Sequence, residues 1–275
     1  MVCLSSIGNL SALLSVFEGT YSLTISVTTS NVKSHKSVLP DVTCVEKVEP
    51  TKTSRKAILF DLDGVLVDVT ASYRKAIQET VRFFTGKTAG LKEIQQLKEK
   101  GGYNNDWDLT EAILISRSKS VPKTDVVKKF QELYLGTHGK PGFIENERWL
   151  LDYDKLVQLQ RKYRLGIVTG RPRAETLYVL KKSSVEEVFD VIVAMEDYPP
   201  DKAKPDPYPI CLALERLGLE NAVYVGDSVD DIIAAKRAGI EVIGCILPGG
   251  ATNHLRKLLL TLGAKRVLNS INEIE

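Results

Sequence analysis

Two pairs of carboxylates in this chain have the type and spacing needed to bind a divalent cation. Asp61 and Asp63 are separated by one residue and follow the apolar run 57–60. Asp227 and Asp231 are four residues apart and follow a second apolar run. Carboxylates this close repel one another unless a positive charge lies beside them, and hard oxygen ligands suit Mg²⁺.

Each acidic cluster also has a simpler explanation as local capping. Asp and Gly are common in the turn between a strand and a helix, which would account for Asp61 and Asp63. Acidic residues favour the first turn of a helix, which would account for Asp227 and Asp231. Capping does not explain why a second acidic cluster follows a second strand of the same sheet, so we favour the cation site.

Two further polar segments have the chemistry to bind a phosphoryl group. Thr169 and Gly170 follow an apolar run, so the hydroxyl and the next backbone N–H groups could hold phosphoryl oxygens. An ordinary loop is the alternative. Lys204 precedes a proline that restricts it, and its ammonium could lie beside a carboxylate or a phosphoryl group. A solvated surface lysine is the alternative, and Lys202 is close enough in sequence to compete for the role.

A predicted alternation of strands and helices positions these segments. From Asp152 onward, short apolar runs alternate with helical patterns, which implies βαβ units on a parallel sheet. Ligands bind at the carboxyl ends of the strands in such sheets. The predicted strands are 57–60, 165–168, 191–194, 222–225, 241–246 and 266–268, and the predicted helices are 156–163, 174–182, 208–217, 231–238 and 254–262.

A segment of helical periodicity interrupts this pattern. Apolar residues recur every three to four positions in several stretches of residues 70–151, one of them with Thr124 as its expected N-cap. We therefore predict an α/β protein in which residues 55–69 and 152–275 form a Rossmann-like, doubly wound parallel sheet. Residues 70–151 are predicted to form an inserted α-helical cap.

Residues 1–54 differ in composition from the rest of the chain, being rich in Ser and Thr and poor in acidic residues. No Lys or Arg precedes the apolar region 10–17, and Glu18 ends it, which argues against a secretory signal. We interpret the segment as a disordered N-terminal extension that acts as a plastid transit peptide. The alternative is an extension without an address on a cytoplasmic protein.

Composition excludes several classes of function. The formal net charge of +2 is too small to favour nucleic acid, and no basic block with interleaved aromatic residues is present. The 4 cysteines lack a C-x-x-C spacing, which argues against a zinc site or a disulfide framework. The sequence contains no uninterrupted apolar run of about 18 residues, so no membrane span is predicted. We therefore expect a small-molecule partner.

In combination, the ordered motifs Asp-x-Asp, Thr, Lys and Gly-Asp-x-x-x-Asp resemble the haloacid dehalogenase superfamily of phosphohydrolases. The resemblance covers about residues 56–250, and the helical insertion resembles the C1 cap of subfamily IA. It implies that Asp61 is a nucleophile that forms an aspartyl-phosphate. It also implies that Asp63 protonates the leaving oxygen and later activates water.

The same resemblance implies a set of ligands and supporting residues. Mg²⁺ would be held by Asp61, the backbone carbonyl of Asp63 and Asp227. Asp231 would be either a further ligand or a residue that steadies the others. Thr169 and Lys204 would hold the phosphoryl group and offset its developing charge. Because dehalogenating members lack an acid at the position of Asp63, the resemblance disfavours dehalogenation.

Substrate choice is expected to fall to the cap, because the cap closes over the edge of the sheet. The candidate substrate contacts are Tyr73, Arg74, Asn105, Trp107, Gly170 and Arg171. For Trp107, packing between helices explains the residue equally well. Arg171 or Arg173 could reach a second anionic group on the substrate, and an exposed arginine at a helix start is the alternative.

The predicted function is a Mg²⁺-dependent phosphatase that acts on a small phosphomonoester. The alternatives are a phosphomutase of the β-phosphoglucomutase type and a non-catalytic binding protein on the same fold. The runs Asn104-Asn105-Asp106-Trp107 and Thr169-Gly170-Arg171-Pro172-Arg173 resemble a subgroup in which some members are fused to histidinol-phosphate aminotransferase. Histidinol phosphate is therefore a candidate substrate, although no residue chemistry selects it.

Overall fold

A six-stranded parallel sheet lies at the centre of the part of the chain that the computed structural model describes, residues 56–247 and 253–275. The strands are β1 (Ala57–Phe60), β2 (Val67–Asp68), β3 (Gly136–Thr137), β4 (Lys140–Pro141), β5 (Arg148–Trp149), β6 (Arg164–Val168), β7 (Val191–Val193), β8 (Ala222–Gly226), β9 (Glu241–Cys245) and β10 (Val267–Leu268). The sheet has the order β10-β9-β8-β1-β6-β7. Strand β1 is therefore central, and Phe60 pairs with Ile167 on one side and Val225 on the other.

The helices are α1 (Tyr73–Thr85), α2 (Leu91–Lys98), α3 (Asp106–Ser116), α4 (Lys123–Leu135), α5 (Tyr153–Lys162), α6 (Arg173–Lys182), α7 (Tyr208–Leu217), α8 (Val229–Arg237) and α9 (Asn253–Thr261). Of these, α5–α9 cover the two faces of the sheet. Ala57 and Leu59 pack in an apolar cluster with residues of α7, α8 and α9, whereas Ile58 and Phe60 pack in another with residues of α5 and α6. A strand covered on both faces is apolar throughout, because successive side chains point to opposite sides. The predicted α/β fold class is confirmed.

The helices α1–α4 form the cap, which is inserted between β2 and β5. The antiparallel pairing of these two short strands holds the two linkers side by side. Apolar residues recur along one face of α1, so Ala76, Ile77 and Val81 are buried among residues of α3 and α4. Gly86 ends α1 with a φ of 74°, a left-handed conformation that glycine adopts without strain.

Two features of the cap differ from the prediction. The prediction that Thr124 caps a helix is wrong, because Pro122 occupies that position and α4 already begins at Lys123. A proline before the first turn suits a helix start, since the N–H that it lacks would have no partner there. The cap also contains the short antiparallel pair β3–β4, which the helical pattern did not predict.

The start of α8 shows why helix boundaries were less predictable than helix positions. The prediction placed this start at Asp231, but the helix begins at Val229. The Ser228 hydroxyl accepts the Asp231 N–H at 3.2 Å, and the Asp231 carboxylate accepts the Ser228 N–H at 3.1 Å. This reciprocal capping starts the helix two residues earlier and fixes the Asp231 side chain against the loop.

The segment 1–54, predicted to carry a plastid address, lies outside the described residues. Within the two described ranges, none of the helices combines the length and the apolar character that crossing a bilayer requires. Cys211 and Cys245, the cysteines in these ranges, are free thiols.

Candidate active site

A cavity of about 650 Å³ lies between the cap and the carboxyl ends of the central strands. Asp61 follows β1, Thr169 follows β6 and Asp227 follows β8, and these strands are neighbours in the sheet. Because parallel strands present their carboxyl ends at one edge, the three side chains meet at the cavity wall although up to 166 residues apart in sequence (227 − 61). The sheet topology therefore brings together the motifs that the sequence predicted to act as one site.

The carboxylates of Asp61, Asp227 and Asp231 form a tight acidic cluster at this edge. One oxygen from each lies within 4.8 Å of the others. Burial raises the pKa of Asp61 well above its usual range, and the neighbouring carboxylates raise it further against the opposing effect of Lys204. Burial and the Asp231 carboxylate also raise the pKa of Asp227 to about 7. A cation beside these groups would favour their ionised forms.

Lys204 is the basic residue of this cluster, and it is buried beneath it. Its ammonium donates to Asp61 Oδ1 at 2.8 Å, to Asp231 Oδ1 at 2.6 Å and to the Tyr224 hydroxyl at 3.0 Å. Burial alone would lower the pKa of Lys204, but Asp231 and Asp61 hold it well above its usual value. Lys202 is largely exposed and pairs with a carboxylate of its own loop. The geometry thus selects Lys204 over Lys202.

Asp231 has no carboxylate oxygen free for a metal. Its Oδ1 accepts from Lys204 and from the Tyr224 hydroxyl at 3.0 Å, and its Oδ2 accepts from the Ser228 N–H and hydroxyl. Burial alone would raise its pKa, but Lys204 and Ser228 outweigh that effect and lower it. Of the two roles that the resemblance allowed, the structure favours the one in which Asp231 steadies the cluster.

Asp61 and Asp227 have the donor set for Mg²⁺. The Asp227 carboxylate lines the cavity, is partly exposed and accepts no recorded hydrogen bond from the described residues, so its oxygens are available to a cation. Gly64 makes room for that carboxylate, because a Cβ there would lie 2.1 Å from Asp227 Oδ2. With the Asp63 carbonyl, as the family resemblance implies, these residues fit a hard, oxygen-ligated cation.

The turn after β6 is arranged to receive an anion. Thr169 is buried, and its Oγ1 accepts the Arg171 N–H at 3.1 Å, which leaves the hydroxyl proton available to an incoming oxygen. The next residue, Gly170, lies under the cap loop, because a Cβ there would be 3.0 Å from Asn104 Nδ2. Both Thr169 and Gly170 line the cavity.

Arg171 differs from both roles proposed for it in the sequence. The residue is 2% exposed, so it is not a solvated arginine at a helix start. Its guanidinium binds the carboxylates of Asp63 and Glu147, which leaves it committed to the protein rather than to a second anion on a substrate. Arg173 binds Asp197 and does not occur among the described residues that line the cavity.

The four cap candidates all line the cavity, but two have their polar atoms engaged. The Tyr73 hydroxyl donates to Glu175, and its ring stacks on Tyr134 with centroids 4.3 Å apart. The Asn105 Oδ1 caps α3 by accepting the Trp107 N–H at 2.9 Å. Their role as substrate contacts stays a prediction, with fewer free atoms to support it.

Arg74 and Trp107 keep polar atoms that a substrate could use. The Arg74 guanidinium donates to the Gln95 side chain at 3.3 Å, and no acidic partner is recorded for it among the described residues. The Trp107 indole Nε1 is buried without a hydrogen-bond partner in the same part of the chain, while the ring packs against the core. Trp107 therefore both packs and faces the cavity.

Sequence analysis did not identify Glu147 or Tyr224 as part of the site. Glu147 lies between a short 3₁₀ turn and β5, where no periodicity marks a buried side chain. Tyr224 lies in the middle of β8 and has the character of an ordinary strand residue. Only the packing shows that both hold charged partners.

The chain is similar in sequence and in fold to known hydrolases. A family model described as haloacid dehalogenase-like hydrolase matches residues 58–245. A phosphoglycolate phosphatase from Nitrosospira multiformis is 28% identical over 190 residues, which cover 68% of this chain and 81% of that protein. The solved structure of CbbY from Rhodobacter sphaeroides in complex with phosphate has a TM-score of 0.61 at 24% identity and covers 79% of this chain and 95% of that one.

A longer relative matches over a part of its length. The protein named imidazoleglycerol-phosphate dehydratase from Phytophthora nicotianae is 39% identical over 201 residues, which cover 70% of this chain. The match spans 44% of that relative, so less than half of it corresponds to this chain.

Proposed function

The chain belongs to the haloacid dehalogenase-like hydrolase family, and from that premise we propose that it is a Mg²⁺-dependent phosphatase of small phosphomonoesters that acts through an aspartyl-phosphate. The observation that carries the proposal is the convergence of Asp61, Thr169, Lys204 and Asp227 at the carboxyl ends of three adjacent strands. A buried nucleophilic carboxylate, an ammonium beside it and an anion-binding turn are the groups that phosphoryl transfer needs.

In the first half of the proposed reaction, an oxygen of Asp61 attacks phosphorus. Lys204 lies 2.8 Å from Asp61 Oδ1 and offsets the charge that gathers on the phosphoryl oxygens. The Thr169 hydroxyl and the following N–H groups hold those oxygens. Asp63 donates its proton to the leaving oxygen, so that the alcohol departs neutral and the phosphoryl group stays bonded to Asp61.

In the second half, Asp63 acts as the base. Its carboxylate accepts a proton from a water molecule, whose oxygen attacks phosphorus and breaks the bond to Asp61. Inorganic phosphate leaves, and Asp63 is again protonated for the next cycle. When bound, Mg²⁺ would supply positive charge beside Asp61 and Asp227 and orient the phosphoryl oxygens.

Burial prepares Asp63 for this exchange of a proton. It raises the pKa of Asp63 above its ordinary value, while Arg171 opposes the shift. A carboxyl group whose pKa is moved toward neutrality can serve both as the acid and as the base.

The cavity limits the substrate to a small molecule. A volume of about 650 Å³ falls in the range of ordinary small-ligand sites. The name of one relative contains phosphoglycolate. The name of another contains imidazoleglycerol phosphate, which has an imidazole ring in common with histidinol phosphate. Arg74 and Trp107 would contact the part of the substrate that leaves.

The test is a panel of phosphomonoesters that contains phosphoglycolate, histidinol phosphate and 4-nitrophenyl phosphate. With Mg²⁺, the purified full chain should release phosphate from at least one of them, and Asp61→Asn should reduce the rate by about 10⁴-fold or more. If the Asp61→Asn variant releases phosphate at the wild-type rate, Asp61 is not the nucleophile. Excess chelator should stop the reaction. Activity that persists in chelator would refute the requirement for a metal.

A phosphomutase remains the alternative within the same chemistry. In a single turnover with a sugar phosphate, a mutase returns the phosphoryl group to the sugar, whereas a phosphatase transfers it to water. We propose that water is the acceptor, and isotope-labelled phosphate found on a second sugar hydroxyl would establish the mutase instead.

We also propose a plastid location, on the composition of residues 1–54. A fluorescent protein fused behind these residues should enter plastids, and a fusion that stays in the cytoplasm would refute the address.

A further inference from the structure

A fully buried arginine lies between two carboxylates beside the cavity. The Arg171 side chain has no exposed surface, and Nη1 and Nη2 donate to the two oxygens of Glu147 at 2.8 and 3.1 Å. From its other edge, Nη2 donates to Asp63 Oδ1, and Nε lies 3.4 Å from Asp63 Oδ2. The planar guanidinium thus spans Asp63 and Glu147 in a fixed geometry.

Stability alone does not explain this arrangement. A buried ion pair is often no more stable than apolar side chains of similar volume, because both charges lose their hydration. Here one cation must satisfy two carboxylates, which makes the cost larger. The position of one of those carboxylates offers a reason, since Asp63 is the residue to which the proposed mechanism assigns proton transfer.

The two carboxylate oxygens of Asp63 differ in how closely Arg171 binds them. Oδ1 receives the close bond from Arg171, whereas Oδ2 has only the long contact with Nε. The Asp63 side chain is 29% exposed and lines the cavity, and no other side-chain hydrogen bond to it is recorded in the described ranges. Holding Oδ1 restricts rotation of the carboxyl group and leaves Oδ2 as the oxygen with fewer contacts to the protein.

Arg171 is itself held from the cap side through Glu147. The Glu147 side chain is fully buried and accepts from the Ser72 hydroxyl at 2.8 Å and the Tyr134 hydroxyl at 2.9 Å. Ser72 lies at the start of the cap, Tyr134 in α4, and Glu147 in the returning linker. The Arg171 Cζ also lies 4.9 Å from the centre of the Tyr73 ring. Cap and linker residues therefore fix the guanidinium in place.

We propose that Arg171 is a positioning residue that, anchored by Glu147, orients the Asp63 carboxyl group for proton transfer to the leaving oxygen. The inference rests on the proposed function. Arg171 acts through Asp63 and does not bind the substrate. Removing it should therefore impair only reactions in which the leaving oxygen needs a proton.

The test compares two substrates whose leaving groups differ in that need. An alkyl phosphate releases an alkoxide unless the leaving oxygen is protonated, whereas 4-nitrophenolate leaves without help. The ratio kcat/KM includes only the steps up to departure of the leaving group, so the later hydrolysis of the aspartyl-phosphate does not affect it. In Arg171→Met, kcat/KM for the alkyl phosphate should fall by about 10²-fold, against less than about 5-fold for 4-nitrophenyl phosphate.

Two further variants keep the test decisive if Arg171→Met fails to fold. The double variant Arg171→Met/Glu147→Gln removes the cation together with one buried negative charge, and the oxygen of the new amide can still accept from Ser72 and Tyr134. Arg171→Lys keeps the positive charge but lacks the planar guanidinium. Its kcat/KM for the alkyl phosphate should lie between those of Arg171→Met and the wild type. Arg173→Met is the matched control, since Arg173 binds Asp197 away from the cavity, and it should leave both rates unchanged.

The outcomes separate this inference from the proposed function. An equal fall for both substrates, or no fall, in the folded variants would refute the positioning role. A loss confined to KM would make Arg171 a substrate contact and would equally refute it. If the Asp61→Asn variant hydrolyses 4-nitrophenyl phosphate at the wild-type rate, the proposed function is refuted, whatever the results for the Arg171 variants.

Discussion

Two buried ion clusters border the cavity, and different parts of the chain build them. The lysine cluster consists of Asp61, Lys204 and Asp231, all from the core. The arginine cluster consists of Asp63, Arg171 and Glu147, and Glu147 belongs to the linker that returns from the cap. In the proposed mechanism, bond making at phosphorus therefore depends on groups of the core, whereas proton transfer depends on a group that the cap side helps to hold.

One carboxylate of each cluster, Asp231 and Asp63, also differs from the other in its readiness to carry a proton. The pKa of Asp231 is lowered, since Lys204 and Ser228 outweigh the effect of burial. The pKa of Asp63 is raised, because burial outweighs the effect of Arg171. A lowered pKa suits Asp231 to the anchoring of Lys204, and a raised pKa suits Asp63 to the acid–base role proposed for it.

Breaking the lysine cluster should have the largest effect. Lys204→Met would leave Asp61 and Asp231 buried without a cation, so we expect the free energy of unfolding to fall by about 3–5 kcal/mol. The loss of the ammonium should also lower kcat/KM by about 10²–10³-fold. Denaturant titration and steady-state kinetics measure the two effects.

Lys202→Met is the control for this prediction, because Lys202 is exposed and pairs within its own loop. It should change the free energy of unfolding by less than about 0.5 kcal/mol. Equal effects of the two variants would contradict the assignment of Lys204 to the site.

The next prediction concerns the space that Gly64 leaves for Asp227. In Gly64→Ala the new Cβ would lie 2.1 Å from Asp227 Oδ2, so the carboxylate must shift from its position beside Asp61 and Asp231. We expect the Mg²⁺ concentration for half-maximal activity to rise by about 10–100-fold, as disturbed ligand support does elsewhere.

Gly86→Ala provides a matched control for backbone strain. Gly64 and Gly86 have φ values of 80° and 74°, but nothing lies within 4 Å of a Cβ at Gly86. That variant should lose about 1–2 kcal/mol of stability through its left-handed backbone and keep the Mg²⁺ requirement of the wild type. A shift of the Mg²⁺ requirement in both variants would attribute the effect to strain.

A smaller effect is expected from pH. The pKa of Asp227, about 7 in the folded protein, exceeds its ordinary value of 3.8. A raised pKa of this kind stabilises the fold at low pH, and the contribution is lost as pH rises from about 4 through 7. Mg²⁺ needs the ionised carboxylate, so its stabilising effect should grow over the same interval.

Melting temperatures in chelator and in Mg²⁺, measured between about pH 5 and 8, test this prediction. The difference between the two should increase with pH in the wild type and increase less steeply in Asp227→Asn, where Asp61 is the titrating ligand that remains. A difference that is independent of pH in the wild type would show that Asp227 does not titrate as expected.

The smallest effect is expected at the outer edge of the arginine cluster. Tyr134→Phe removes one hydrogen bond of 2.9 Å to Glu147 and keeps the aromatic ring stacked on Tyr73. The free energy of unfolding should fall by about 1 kcal/mol, because Arg171 and Ser72 still satisfy Glu147. Thermal denaturation should show the loss, and a loss as large as that of Lys204→Met would make the two clusters equivalent.

Local pattern was sufficient to predict most of the fold and the strand ends that meet at the site. An apolar run followed by a polar residue marks a buried strand and its carboxyl end, and this correctly located β1 before Asp61, β6 before Thr169 and β8 before Asp227. Parallel pairing then brings such ends together, so the meeting of Asp61, Thr169 and Asp227 needed no knowledge of distant contacts. Helix boundaries were less certain, because capping at Ser228 and Pro122 decides them.

The sequence by itself determined which strand ends carry acids and a hydroxyl, because those signals lie within a few residues of one another. Only the tertiary structure decided that Lys204 rather than Lys202 reaches Asp61, and that Arg171 binds Asp63 and Glu147 instead of solvent. Burial and charge pairing join residues that are far apart in the chain. No local pattern therefore states which cation neutralises which carboxylate.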